Sequence, residues 1–215
     1  MKVAIAGASG LTGSACLPLL LKNPDISQVF EIGRTPSGLQ HSKLQKVPLI
    51  QGKPAYLPAV HGFICCLGTT LRKAGSEEAF KQADLHLPIA LAEGLFEQGC
   101  TRMAVISAMG ANSRSLVFYN RVKGDLEATL TKMNWEALYI LRPSFINGKR
   151  KEKRPFETLG KWLFKAANPL LTGSLANYRI IEAHTIAQAL VQVMLHGQSG
   201  QHTYLSEDIK KLVLP

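Results

Sequence analysis

The chain is 215 residues long, and at about 150 residues per domain that length is one large domain with a small C-terminal addition. Hydrophobic residues make up 46% and charged residues 19%, with 18 Gly and 11 Pro, which excludes a mainly disordered, collagenous or coiled-coil chain. The 25 Lys and Arg against 15 Asp and Glu leave a net charge of +10, so a phosphate-bearing partner is expected: nucleic acid, anionic membrane or phosphorylated cofactor.

The opening Met1-Lys2-Val3-Ala4-Ile5-Ala6 is too short for the apolar core of a signal peptide. Leu17 to Leu21 likewise falls far below the roughly 20 residues of a membrane span. Cys16, Cys65, Cys66 and Cys100 form no CxxC pair and are expected to be buried thiols in a reducing compartment. Together these features predict a soluble, cytoplasmic protein with no membrane partner.

The first run of strand length, Val3 to Ala6, enters Gly7-Ala8-Ser9-Gly10-Leu11-Thr12-Gly13, and a helix is predicted from Thr12 to Lys22. In such a turn the first Gly permits the reversal, the second lets backbone approach a pyrophosphate, and the third lets helix pack against strand. The helix N-terminus adds N–H donors and partial positive charge. A second strand, Val29 to Ile32, holds Glu31 within its apolar run and exits through Gly33-Arg34-Thr35. An acid at that exit favours a ribose 2′-hydroxyl, whereas Arg34 suits a 2′-phosphate, so NADP(H) is preferred over NAD(H).

Val47 to Ile50 reads as a weak third strand because of Pro48, and Gln51 to Val60 is too short and Pro-broken for a crossover helix. The fourth strand, Phe63 to Leu67, exits through Gly68-Thr69-Thr70, either an ordinary turn or an approach for a cofactor ribose. A long helix is predicted over Glu77 to Glu97. The fifth strand, Met103 to Ser107, precedes a helix from Leu116 to Lys132 that carries Tyr119 and Lys123. At i and i+4 these two share a helical face, where the ammonium is expected to lower the phenol pKa and suit it to acid/base work on a carbonyl or alcohol oxygen. Ser107, at the neighbouring strand end, is placed to hold the same oxygen.

The sixth strand, Leu138 to Leu141, ends at Arg142-Pro143, and the basic Lys149 to Arg154 stretch reads as an exposed loop. Helices at Phe156 to Ala166 and Glu182 to His196 and a strand at Gln201 to Leu205 follow. Apolar strands alternating with helices predict an α/β fold with a doubly wound parallel sheet, and residues 144–215 are assigned to a small substrate-side cap.

Six motifs resemble the atypical short-chain dehydrogenase/reductases, and within them the Tat-interacting oxidoreductase-like group. They are the Gly7, Gly10, Gly13 turn, Cys65 to Thr70, Ala74-Gly75-Ser76, Ser107 to Ala111, Tyr119 to Glu127, and Leu141-Arg142-Pro143. The resemblance covers about residues 1 to 150, and it departs at Ala108, where the family often has a second Ser. It implies a Rossmann domain and NADPH, with Ser107, Tyr119 and Lys123 catalytic. It further implies cofactor contacts from Gly7, Ser9, Gly10, Leu11, Thr12, Gly13, Arg34, Leu67, Gly68, Thr69 and Pro143. The expected activity is hydride transfer to or from a small carbonyl or alcohol. The alternatives are an NADPH-binding sensor or interaction protein without turnover, and a sugar-nucleotide epimerase or dehydratase-like enzyme. No metal is expected, because the six His show neither HxxxH nor HExxH spacing. Nucleic acid is not expected, because no recognition motif or aromatic platform accompanies the basic stretch. His184 and Asn147 are secondary pocket candidates, and the oligomeric state is open between monomer and homodimer.

Overall fold

A computed structural model describes residues 1–148 and 173–214. The basic stretch Lys149 to Arg154 and the expected helix Phe156 to Ala166 lie outside the described residues. The chain begins with β1 (Lys2–Ala6), α1 (Leu11–Lys22), β2 (Gln28–Gly33), β3 (Leu44–Ile50), β4 (Lys53–Pro54) and β5 (Gly62–Cys65). Next come the short helices α2 (Leu71–Ala74) and α3 (Glu77–Lys81), a π-helical turn over Gln82–His86, and α4 (Leu87–Glu97). β6 (Arg102–Ile106), α5 (Phe118–Thr131), β7 (Ala137–Arg142) and β8 (Ile146–Asn147) follow, and after the undescribed stretch a 3-10 turn (Gly173–Tyr178) and β9 (Ile181–Glu182). The described chain closes with α6 (Ala183–His196), β10 (Gly200–Leu205) and α7 (Ser206–Lys211).

The main sheet has eight strands in the order β10-β7-β6-β5-β1-β2-β3-β4. All pair in parallel except the β3–β4 hairpin, while β8 and β9 form a separate two-stranded ladder. This is a Rossmann-type α/β fold. The strand order reverses between β1 and β5, where Ala6 lies opposite Cys65, and the crevice outside their carboxyl ends is where such sheets bind ligands.

Strand periodicity explains the two layers of core. Val3, Ile5, Ile64, Ala104, Tyr139 and Leu141 face one side, against Leu17 and Leu20 of α1 and Ile186 and Leu190 of α6. The alternate residues Ala4, Ala6, Phe63, Met103, Val105 and Ile140 face the other, against Leu91 and Leu95 of α4 and Leu126 and Leu130 of α5. Each fully buried Ile, Leu or Phe contributes about 2 kcal/mol, and the period of two dictates which helix receives it.

Two differences from the sequence expectation have local causes. The predicted helix over Glu77 to Glu97 is divided, because a π turn inserts an extra residue per turn at Gln82–His86. β3 is a full parallel strand despite Pro48, since it lies next to the edge and the Pro48 carbonyl instead accepts from Ala55 N–H. Most of the described chain beyond residue 180 belongs to the main layers: β10 pairs with β7, and α6 packs on α1.

Candidate functional site

The glycine turn is shaped by close backbone approach. Gly7 has φ +82°, and a Cβ there would lie 2.6 Å from the Cys66 carbonyl carbon and oxygen, so the turn is seated directly on the strand exit across the switch point. Gly13 abuts the Gly7 carbonyl on the inner side of α1. Gly10 is different: it is exposed, at φ −77°, and caps α1 without any side-chain hydrogen bond. The first N–H groups of a helix have no intrahelical acceptor, and no acid occupies this first turn. The result is an open, electropositive cradle bordered by Ser9 and Leu11, with Thr12 and Gly13 buried beneath.

The sheet brings the other predicted residues to the same carboxyl edge. Arg34 follows β2 and is exposed; Leu67, Gly68 and Thr69 follow β5; Ser107 follows β6; Pro143 follows β7 and its carbonyl accepts from Met109 N–H at 3.3 Å. Glu31 is withdrawn from this edge, for its buried carboxylate accepts from Ser37 N–H at 2.6 Å and Ser37 Oγ at 2.9 Å. The acid in β2 thus fixes the turn behind Arg34.

Ser107 Oγ is buried and has no hydrogen-bond partner. A buried orphan hydroxyl is costly, by about 1 to 3 kcal/mol, and its natural remedy is a polar ligand atom. Tyr119 opens α5, 40% exposed, with its ring 5.8 Å from that of Phe80. One turn on, Lys123 is buried and pairs with Asp84 Oδ1 at 2.8 Å, while Asp84 Oδ2 accepts from Thr69 N–H at 2.7 Å.

In this network the expected pull of Lys123 on the phenol is present, but loss of hydration outweighs it. Loss of hydration raises the Tyr119 pKa above its ordinary 10.0; Lys123 opposes that rise and Asp84 reinforces it. Burial alone would lower the Lys123 pKa, but Asp84 and Tyr119 outweigh it and the ammonium is held charged above 10.5. The effect of Lys123 on the phenol is therefore downward and smaller than that of burial.

Asp84 is the site residue that the sequence reading missed. It is 0% exposed and falls on the stripe Phe80, Asp84, Pro88, Leu91, Leu95, so an acid on an otherwise apolar helical face was the available signal. Two cavities flank the site. One of about 350 Å³ beside α1 is lined by Leu11, Ser14, Gly148, Glu182 and His184, and Asn147 Nδ2 donates to Glu182 at its rim. Another of about 390 Å³, lined by the far face of α5 with β7 and β10, touches none of Ser107, Tyr119 or Lys123. Among the described residues no His, Cys, Asp and Glu cluster has metal-binding geometry, and no helix is long and apolar enough to cross a membrane.

No protein-family model matches the chain. Protein HTATIP2 of Rattus norvegicus is 32% identical over 206 residues, 93% of this chain and 83% of the relative. The chain belongs to the HTATIP2 family. Protein fmp52, mitochondrial, of Emericella nidulans is 30% identical over 217 residues, 96% and 93% of the two chains. The fungal relatives are named as mitochondrial proteins, which overturns the cytoplasmic expectation. Unpaired thiols distinguish reducing from oxidising compartments and cannot separate two reducing ones.

Among solved structures, MoeE5 in complex with UDP-glucose and NAD superposes at TM-score 0.67, covering 97% of this chain and 79% of that one at 14% identity. Human epimerase family protein SDR39U1 with NADPH superposes at 0.64, covering 95% and 74%, also at 14% identity. At such identities the likeness is one of fold: the short-chain dehydrogenase and epimerase type, whose members here hold NAD or NADPH.

Proposed function

We propose that the chain is an NADPH-dependent oxidoreductase acting on a small carbonyl or alcohol. The observation that carries this reading is Ser107 Oγ, buried and unpartnered at the carboxyl edge that also bears the glycine turn, Tyr119 and Lys123. The fit to a dinucleotide rests on the uncapped α1 N-terminus and on the exposed Gly10, beside which a larger residue would fill the approach.

When bound, the reduced dinucleotide supplies a hydride to the substrate carbonyl carbon. The residues of the chain do the rest. The N–H groups of Leu11, Thr12 and Gly13 at the start of α1 would hold the pyrophosphate, the Gly10 N–H being given to the Gly7 carbonyl, and Arg34 would neutralise the 2′-phosphate. Leu67, Gly68, Thr69 and Pro143 wall the ribose and nicotinamide side. Ser107 Oγ donates to the carbonyl oxygen and orients it. Tyr119 Oη passes its proton to that oxygen, completing the alcohol, and regains a proton from water. Residues around the 350 Å³ cleft, His184 and Asn147 among them, are the candidates for substrate choice.

Tyr119→Phe tests the assignment. It is expected to keep NADPH affinity in calorimetry and to lose turnover across a panel of aldehydes and ketones; unchanged turnover overturns it. NADPH binding by the wild type with no carbonyl reduced would favour a ligand-sensing role instead.

A further inference from the structure

The turn after β2 holds an acid more firmly than a connecting loop requires. Glu31, 2% exposed, lies two residues before the end of the strand at Gly33, and both of its oxygens are directed at one residue. Oε1 accepts from Ser37 N–H at 2.6 Å and Oε2 from Ser37 Oγ–H at 2.9 Å, while Ser37 Oγ accepts from Leu39 N–H at 3.3 Å. These bonds close residues 32–36 into a loop, with Arg34 exposed at its middle. Side chains two apart on a strand share a face, so Glu31 lies on the same face as position 33, at the strand exit where an acid would meet a ribose hydroxyl. Gly33 puts no side chain there. Its φ is not in the left-handed region, and a Cβ would meet only the Thr35 carbonyl oxygen at 3.8 Å, so neither backbone nor packing among the described residues calls for glycine.

We propose that Ser37 and Glu31 form a tether that determines dinucleotide specificity, holding the acid of β2 away from the ribose and the Arg34 loop in place for a 2′-phosphate. The inference rests on Arg34 being the 2′-phosphate receptor of the proposed oxidoreductase. Ser37 and Glu31 are positioning residues, for they act through Arg34 and through the space beside Gly33. An untethered loop must order Arg34 at the moment of binding, and ordering backbone and a long side chain costs conformational entropy. A released Glu31 carboxylate is free to turn to the strand exit, where it accepts from a 2′-hydroxyl and repels a 2′-phosphate. Both changes count against NADPH relative to NADH. The absent side chain at Gly33 leaves room for the larger, phosphorylated ribose beside Arg34.

The experiment is calorimetric binding of NADPH and of NADH to the full chain without substrate, in wild type, Ser37→Ala and Ser37→Thr. In Ser37→Ala the hydroxyl bond is lost, and NADPH affinity is expected to fall at least about fivefold more than NADH affinity. Ser37→Thr keeps Oγ and is expected to hold the wild-type ratio. An unchanged ratio in folded Ser37→Ala overturns the proposal, as does an equal loss for both dinucleotides, which a merely structural bond would give. Should Ser37→Ala not fold, Glu31→Gln decides. Its amide can keep both Ser37 bonds without the charge, so the ratio is expected not to fall; a fall of about fivefold shows that the charge and not the tether acts, and overturns the proposal. Arg34→Ala separates this inference from the reading beneath it. A wild-type preference for NADPH that is lost in Arg34→Ala and kept in Ser37→Ala removes the tether alone, whereas a wild type with no preference removes the 2′-phosphate reading and the tether together.

Discussion

Two glycines of the same turn separate folding from ligand binding. At Gly13 an added Cβ would lie 2.7 Å from the Gly7 carbonyl carbon and 2.8 Å from the Ala8 Cα, and closer still to the Gly7 oxygen. All three are backbone atoms of a turn already seated on Cys66, so none can move without displacing α1 from β1. Overpacking of this kind costs about 3 kcal/mol, the upper part of its usual range. For a chain of this size that corresponds to a fall of about 6 to 12 °C in the unfolding midpoint. At Gly10 the added Cβ meets the Gly7 oxygen at 3.2 Å and the Cys66 oxygen at 4.0 Å, and φ −77° suits any residue. Reduced unfolded-chain entropy and the tight contact roughly offset, so Gly10→Ala is expected to change stability by less than about 1 kcal/mol. The same methyl stands where a pyrophosphate would approach, and NADPH affinity is expected to fall tenfold or more, about 1.4 kcal/mol. Thermal unfolding and calorimetry on both variants read the two effects. Wild-type affinity in folded Gly10→Ala would refute the phosphate cradle, and an unshifted midpoint in Gly13→Ala would refute the close-approach argument.

Arg34→Ala is expected to weaken NADPH about tenfold or more while sparing NADH; equal wild-type affinity for the two dinucleotides would remove the 2′-phosphate preference. Glu127 lies buried on α5 and receives the Arg142 guanidinium through Nε at 3.0 Å and through Nη2, so Glu127→Gln is expected to cost about 3 kcal/mol in denaturant unfolding; a cost below about 1 kcal/mol would show the pair to be solvated. Burial pushes the Cys65 and Cys100 thiols from 9.0 up to about 12. Their folded pKa values are raised, so their stabilisation is complete below pH 9 and is lost as pH climbs toward 12, with a slope of at most about 1.4 kcal/mol per pH unit for each thiol. Cys65→Ala is expected to flatten the alkaline fall in unfolding free energy, and an identical pH profile would contradict it.

The fold was legible because its signals are local and periodic. Strand-length apolar runs, the Gly7 turn and the 3.6-residue period of α1, α5 and α6 each point to one element, and parallel pairing leaves few topologies. Boundaries shifted where tertiary contacts decide them: α5 starts at Phe118 and not Leu116, and β5 stops at Cys65, whose successor turns to meet Gly7. Ser107, Tyr119 and Lys123 were legible as types in an order. What Lys123 pairs with was not, because Asp84 is 39 positions away in sequence and its burial is a property of the packed layers. The π turn has no composition signature at Gln82-Ala83-Asp84-Leu85-His86, yet it fixes where the carboxylate points.

That one carboxylate also joins two parts of the site that the fold builds separately. The proposed phosphate cradle depends on β1, α1 and the loop after β5; the proposed proton-handling face depends on β6 and α5. Thr69 belongs to the first and Lys123 to the second, and Asp84 is bonded to both. Freeing the Thr69 N–H would relax the loop after β5, and freeing Lys123 would leave a buried amine without the carboxylate that holds it charged. Dinucleotide affinity and the Lys123 pKa are therefore expected to fall together in Asp84→Ala. In Asp84→Asn they separate, for the amide oxygen can keep the Thr69 bond while the charge is gone. A carboxylate that served packing alone would produce no such separation.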